Sequence, residues 1–116
     1  MQRNIIAKYL LLATFIFVFG LFGVDKMLNP AIWIGWIPPW MDGLLNIQDD
    51  LWLIFIGIAE MFFAAMLLIP HRRTQQIGTV LIALHLAFVL TQVGWNDIGV
   101  RDIGLLGGSL ALLTLL

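Results

Sequence analysis

Six side chains stand where an apolar chain would put chemistry: Lys26, Glu60, His85, Gln92, Asn96 and Arg101. Glu60 comes first. It is the one ionisable residue in Leu51–Pro70, LWLIFIGIAEMFFAAMLLIP, a stretch of twenty residues that is apolar on all sides. A carboxylate at the centre of a bilayer costs at least about 2.5 kcal/mol on insertion scales. A proton, a partner or a wet cavity must offset that cost. Three states satisfy the requirement: a protonated packing acid, a carboxylate paired with His85, Lys26 or Arg101, and a carboxyl in contact with a ligand headgroup. His85 falls at a similar depth on the next apolar stretch, where it forms either a proton relay with Glu60 or an ordinary packing contact.

A second polar group gathers at one end of the apolar stretches. It comprises Asp25, Lys26, Gln92, Asn96, Arg101 and Asp102. Its plain reading is a set of interfacial residues snorkelling into headgroups, Asp25 and Asp102 above all. The other reading is a ligand site, with Lys26 and Arg101 near the polar head. No metal site is expected, because two nitrogen or oxygen ligands without thiolates do not close a shell. Neither a Ser-His-Asp set nor a phosphate-binding glycine loop is arranged along the chain.

The elements that position these residues follow from composition. Of 116 residues, 61% are hydrophobic and 11% charged, with a net charge of -1 and no cysteine. Soluble domains run near 45–50% apolar and roughly 25% charged. The balance points to one integral membrane domain over 1–116 with the lipid bilayer as its partner, and it argues against nucleic acid, which needs a basic face. The lack of cysteine removes disulfides and thiolate chemistry. Hydrophobic runs predict spans at about 5–25, 51–70, 76–94 and 98–116, an all-α four-transmembrane-helix bundle running up-down-up-down. The first run reads as a retained helix, without a cleavage site.

The last span is short. From Ile103 to Leu116 there are fourteen residues, about 21 Å of helix. To cross a core of about 30 Å it must begin near Asp97, a good N-cap, and so draw Arg101 and Asp102 into the bundle. Arg3, Lys8, Arg72 and Arg73 share one side of the predicted topology, against Lys26 and Arg101 on the other. The positive-inside rule then makes both termini cytoplasmic.

Residues 29–50, NPAIWIGWIPPWMDGLLNIQDD, are too apolar for a free loop and too proline-broken for a span. Trp33, Trp36 and Trp40 surround Pro38 and Pro39, which predicts an interfacial segment, either an aromatic anchor or a lid over a site. Asp49 and Asp50 are placed to cap the second span. On that span Glu60 shares a stripe with Leu53, Ile56, Gly57, Ala64 and Leu67, so it faces other helices. His85 shares a face with Gly78, Leu81, Ile82 and Gln92, and Thr14 and Ser109 reach a similar depth. Gly104-x-x-x-Gly108, beside Gly107 and Ser109, predicts a close-packing face, within the bundle in preference to between subunits.

Four segments in order resemble the DoxX-like (DoxX/DoxD) family of bacterial inner-membrane proteins. They are GLFGVDKMLNP (20–30), WIGWIPPWM (33–41), GIAEMFFAAMLLIPHRR (57–73) and NDIGVRDIGLLGGSLALL (96–113). The resemblance implies a small accessory subunit of a redox-linked membrane system, with a bound quinone or lipid and no intrinsic cofactor. Its partners would be other membrane redox subunits or further copies of itself. By position, Lys26, Glu60 and Arg101 match the family's charged positions, whereas His85 has no place in the pattern. The absence of cysteine departs from members that use a dithiol, so the chain is expected to hold a quinone without moving electrons itself. Two other readings stand beside this one. A small proton-coupled transporter would use Glu60, and a structural or assembly partner would tolerate Glu60→Gln.

Overall fold

The computed structural model describes residues 2–37, 39–93 and 96–116. Four long helices carry the architecture: α1 (Gln2–Leu28), α3 (Asp49–Leu68), α4 (Arg72–Val93) and α5 (Asp97–Leu115). All four are long and apolar enough to cross a membrane, and the chain is a four-helix transmembrane bundle. α1 packs against α3 and α5, and α4 packs against the same two from the other side. Between α1 and α3 the chain forms a cap. It comprises a one-turn helix, α2 (Pro30–Trp33), followed by short 3-10 turns at Ile34–Trp36, Pro39–Met41 and Leu44–Asn46. Large apolar side chains such as Tyr9, Phe17, Phe62 and Leu84 lie exposed around the bundle. Lipid covers such a surface; water does not.

Several predicted boundaries shift. α1 extends beyond the predicted 5–25 at both ends. α3 stops at Leu68, because Ile69 precedes Pro70 and takes an extended conformation (ψ 122°). α4 begins at Arg72, four residues before the predicted 76, so Arg72 and Arg73 lie in its first turn and not in a loop. Positive charge opposes the helix dipole there. Arg72 is nevertheless anchored, since its Nε–H donates to the Leu116 carbonyl at 2.5 Å. Asp49 and Asp50 lie inside the first turn of α3, behind an N-cap at Gln48, and do not cap it. The cap of α5 is Asn96, whose side chain accepts the Gly99 N–H at 3.0 Å, where Asp97 was expected. Pro38 and the side chains of Trp36 and Asp97 lie outside the described residues.

The core joins Phe15 and Phe19 of α1, Ala64 and Leu67 of α3, Ile82 and Leu86 of α4 and Leu112 of α5. The buried residues of α3 are Leu53, Gly57, Glu60, Ala64 and Leu67, the stripe expected from helical spacing, with Ile56 at its half-buried edge. The closest approach is between α1 and α3. A methyl group built on Gly23 would sit 2.6 Å from the Gly57 carbonyl oxygen, and one on Gly57 would sit 2.6 Å from that of Gly23. The two backbones touch, and only glycine permits it. The predicted glycine face of α5 divides. Gly108 packs on the Phe15 ring and Ser109 is buried, whereas a side chain at Gly104 or Gly107 would meet nothing within 4 Å. Ser109 and Thr14 each donate to their own helix, to the Leu106 and Leu10 carbonyls.

This contrast between glycines is testable. Gly23→Ala and Gly57→Ala each force backbone movement and lower stability by about 1–3 kcal/mol. Gly104→Ala is accommodated and gains about 0.5–1 kcal/mol from helix propensity. Reversible unfolding of the three variants in mixed micelles reads both signs.

Candidate functional site

Lys26 and Glu60 form an ion pair across the α1–α3 crossing. Local geometry explains the meeting. Gly23 and Lys26 are three residues apart on α1, and Gly57 and Glu60 are three apart on α3. The helices run antiparallel, so the two charges leave the glycine contact in opposite axial directions, each by about 4.5 Å. Side chains on a helix lean toward its N-terminus. Lys26 therefore leans back toward the crossing from one side and Glu60 from the other. Glu60 is 2% exposed and the Lys26 side chain 12%, so the pair is removed from water.

A second pair flanks the first. On α5, Arg101 donates from Nε and Nη2 to Asp102 Oδ1, at 3.3 and 3.1 Å. Asp102 is buried, contrary to its reading as a snorkelling residue. Arg101 stays exposed, and its guanidinium lies over the Phe22 ring at 4.8 Å. Lys26 Nζ lies over the Trp33 ring at 4.5 Å and 5.7 Å from that of Phe22. In both pairs the cation is the more exposed member, at 12% against 2% and 39% against 4%. A group arriving here meets N–H donors first.

These residues line a cavity of about 360 Å³. Phe22 and Lys26 come from α1, Trp52, Phe55 and Glu60 from α3, and His85, Phe88 and Gln92 from α4. Arg101 and Asp102 come from α5, and Trp33, Ile37, Trp40 and Met41 from the cap. Its lining is mostly apolar and aromatic, with polar groups gathered at one place, as ligand cavities are built.

The cap is fastened to the helices around this cavity by two of its tryptophans, Trp33 and Trp40. Trp33 Nε1 donates to Asp25 Oδ2 at 2.7 Å, and Asn29 Nδ2 donates to Oδ1 of the same carboxylate at 3.1 Å. Trp40 Nε1 donates to Gln92 Oε1 at 2.8 Å. Asp25 thus holds α2 to the end of α1, and Gln92 ties the cap to α4. The segment therefore supplies part of the cavity lining, and both the anchor and the lid readings place it there.

Of the six residues singled out from sequence, five line the cavity. Asn96 is the exception and serves as the cap of α5. His85 lies edge-on between Phe19 and Phe63, with ring centroids 6.1 and 5.9 Å away. Of its two readings this is the packing contact; among the described residues no hydrogen bond joins His85 to Glu60. Sequence reasoning missed the aromatic wall and the fastening role of Asp25. The signal for Asp25 was available, because Asn29 and Trp33 follow it at helical spacings of four and eight. Comparison with protein-family models, curated proteins and solved structures gives no match.

The ion pair makes a sharp energetic prediction. Removing one partner of a buried pair costs about 3–5 kcal/mol, because the other charge is left uncompensated. Glu60→Gln and Lys26→Met should each destabilise on that scale, and the double variant should recover most of the loss. A double-mutant cycle on unfolding free energies measures the coupling. A neutral packing acid would instead leave Glu60→Gln close to wild type.

Proposed function

We propose that this chain is a DoxX-like accessory component of a redox-linked membrane system, which holds a quinone or a lipid and does not itself transfer electrons. The observation that carries this reading is the covered, aromatic-lined cavity with two ion pairs that expose their cations. The aromatic walls suit a planar or apolar body, and the N–H groups of Lys26 and Arg101 suit carbonyl or phosphate oxygens. Its setting in this proposal is the bacterial inner membrane, with both termini cytoplasmic. The cap then lies on the outer face, because Arg3, Lys8, Arg72 and Arg73 gather at the opposite end.

The pairing of Glu60 with Lys26 favours this reading over proton-coupled transport. A transporter must release its carboxyl from any partner in each cycle. Here release would leave Lys26 charged and unpaired in an apolar site.

Purification in mild detergent followed by solvent extraction should yield a quinone or one specific lipid in near-stoichiometric amount. The Lys26→Met/Glu60→Gln variant, folded but without the charges, should retain much less. Folded wild-type protein that carries no quinone and no enriched lipid would sink the proposal.

A further inference from the structure

Along α3 and α4 the cavity lining passes from buried to half-exposed residues. On α3 its lining residues are Leu53, Glu60, Ile56, Trp52, Ala59 and Phe55. Taken in that order, they step round the helix through about 160°, at about 100° per residue. On α4 the lining residues are Leu86, Val89, His85, Gln92 and Phe88, and they step through the same arc in the same sense. The helices run antiparallel, so equal senses place the two arcs opposite one another across the gap between them. Each arc begins at a buried leucine, 3% exposed on α3 and 4% on α4. Each ends at a half-exposed phenylalanine, Phe55 at 49% and Phe88 at 50%. Two ring pairs frame this opening: Trp52 on Phe55 and Trp40 on Phe88, both with centroids 6.2 Å apart.

The other approach is obstructed. Met41 of the cap is buried, and Trp33 and Trp40 hold the cap down by hydrogen bonds to α1 and α4. The volume matters too. About 360 Å³ lies near the lower end of the usual range for ligand pockets, enough for a head and not for a long chain.

We infer that the cavity opens sideways between the Trp52–Phe55 and Trp40–Phe88 ring pairs, and admits a tailed lipophile whose head accepts hydrogen bonds while its tail lies out along α3 and α4. This rests on the proposed ligand-holding role and adds the route, the tail and the polarity of the head. Lys26 and Arg101 offer donors to the head, and the carboxylates that would attract a cation are buried behind them. The tail leaves through an apolar rim into lipid without crossing the cap.

The chain has no cysteine, so single cysteines report without background. F55C and F88C place one at the opening, I34C one on the exposed side of the cap, and F17C one on a remote part of α1. A59C, a smaller change on the α3 arc, replaces F55C if that variant folds poorly. Each protein is reconstituted in vesicles and labelled with a lipid-soluble maleimide. The probes are a decyl-tailed benzoquinone and the same quinone without its tail. Quenching of the cavity tryptophans reports occupancy independently in every variant. The tailed probe should slow labelling of F55C and F88C several-fold, leaving I34C and F17C unchanged, and the tail-less probe should protect much less at equal occupancy. Palmitate, whose carboxylate accepts hydrogen bonds, should displace the quinone, and decyltrimethylammonium should not. Protection at I34C, quenching without protection at the opening, or displacement by the cationic amphiphile overturns this inference alone. Absence of quenching by either quinone with no displaceable lipid overturns the ligand-holding role and this inference with it.

Discussion

Everything in this bundle answers to one constraint, the burial of the Lys26–Glu60 pair in an apolar interior. Removing two charges from water costs several kcal/mol for each ion, and only close pairing with further favourable contacts offsets it. Close pairing needs helices that nearly touch, and the Gly23–Gly57 contact supplies that. It also needs side chains that converge, and antiparallel helices supply that through the lean of each side chain toward its own N-terminus. The Trp33 and Phe22 rings add cation–π contact to Lys26, worth about 0.5–2 kcal/mol. The cap is therefore bound to the pair energetically as well as by chain connection. Trp33 offers its ring face to Lys26 and its N–H to Asp25 at once.

Much of this was legible in the sequence, for identifiable reasons. The four spans follow from hydropathy, because a bilayer forces every backbone polar group into helix. The face bearing Glu60 follows from helical period, and the buried residues of α3 fall where that period places them. What sequence left open was the choice among His85, Lys26 and Arg101 as the partner of Glu60. Depth favoured His85, since both residues sit near the middle of their helices. The structure pairs Glu60 with Lys26 instead, because a lysine reaches along its helix by the length of its own side chain. The α1–α3 contact that brings the two together lies in two glycines whose pairing no single-helix pattern shows. The degree of burial of Asp102 was open for a related reason. The short α5 places both Arg101 and Asp102 within the bundle, but which of the two faces inward depends on the rotation of the helix: Asp102 takes the buried face and Arg101 reaches back to it from the more exposed one.

The same crossing explains why a cavity exists beside so tight a contact. Backbones that touch at Gly23 and Gly57 fix α1 against α3 at one level. Large rings then fill the cap end of the bundle, with Phe22, Trp52, Phe55 and Phe88 contributed by three helices. Rings of this size keep helices apart where glycines let them meet. α3 and α4 close at the other end, where Gly78 faces Met66. The cavity is what remains between a close glycine contact at one level and a layer of large rings at another. Its polar end lies at the ion pair because the pair needs that contact, and its apolar end lies among the rings. That division, one polar end and one apolar end, is what the proposal of a ligand with a polar head and an apolar body rests on.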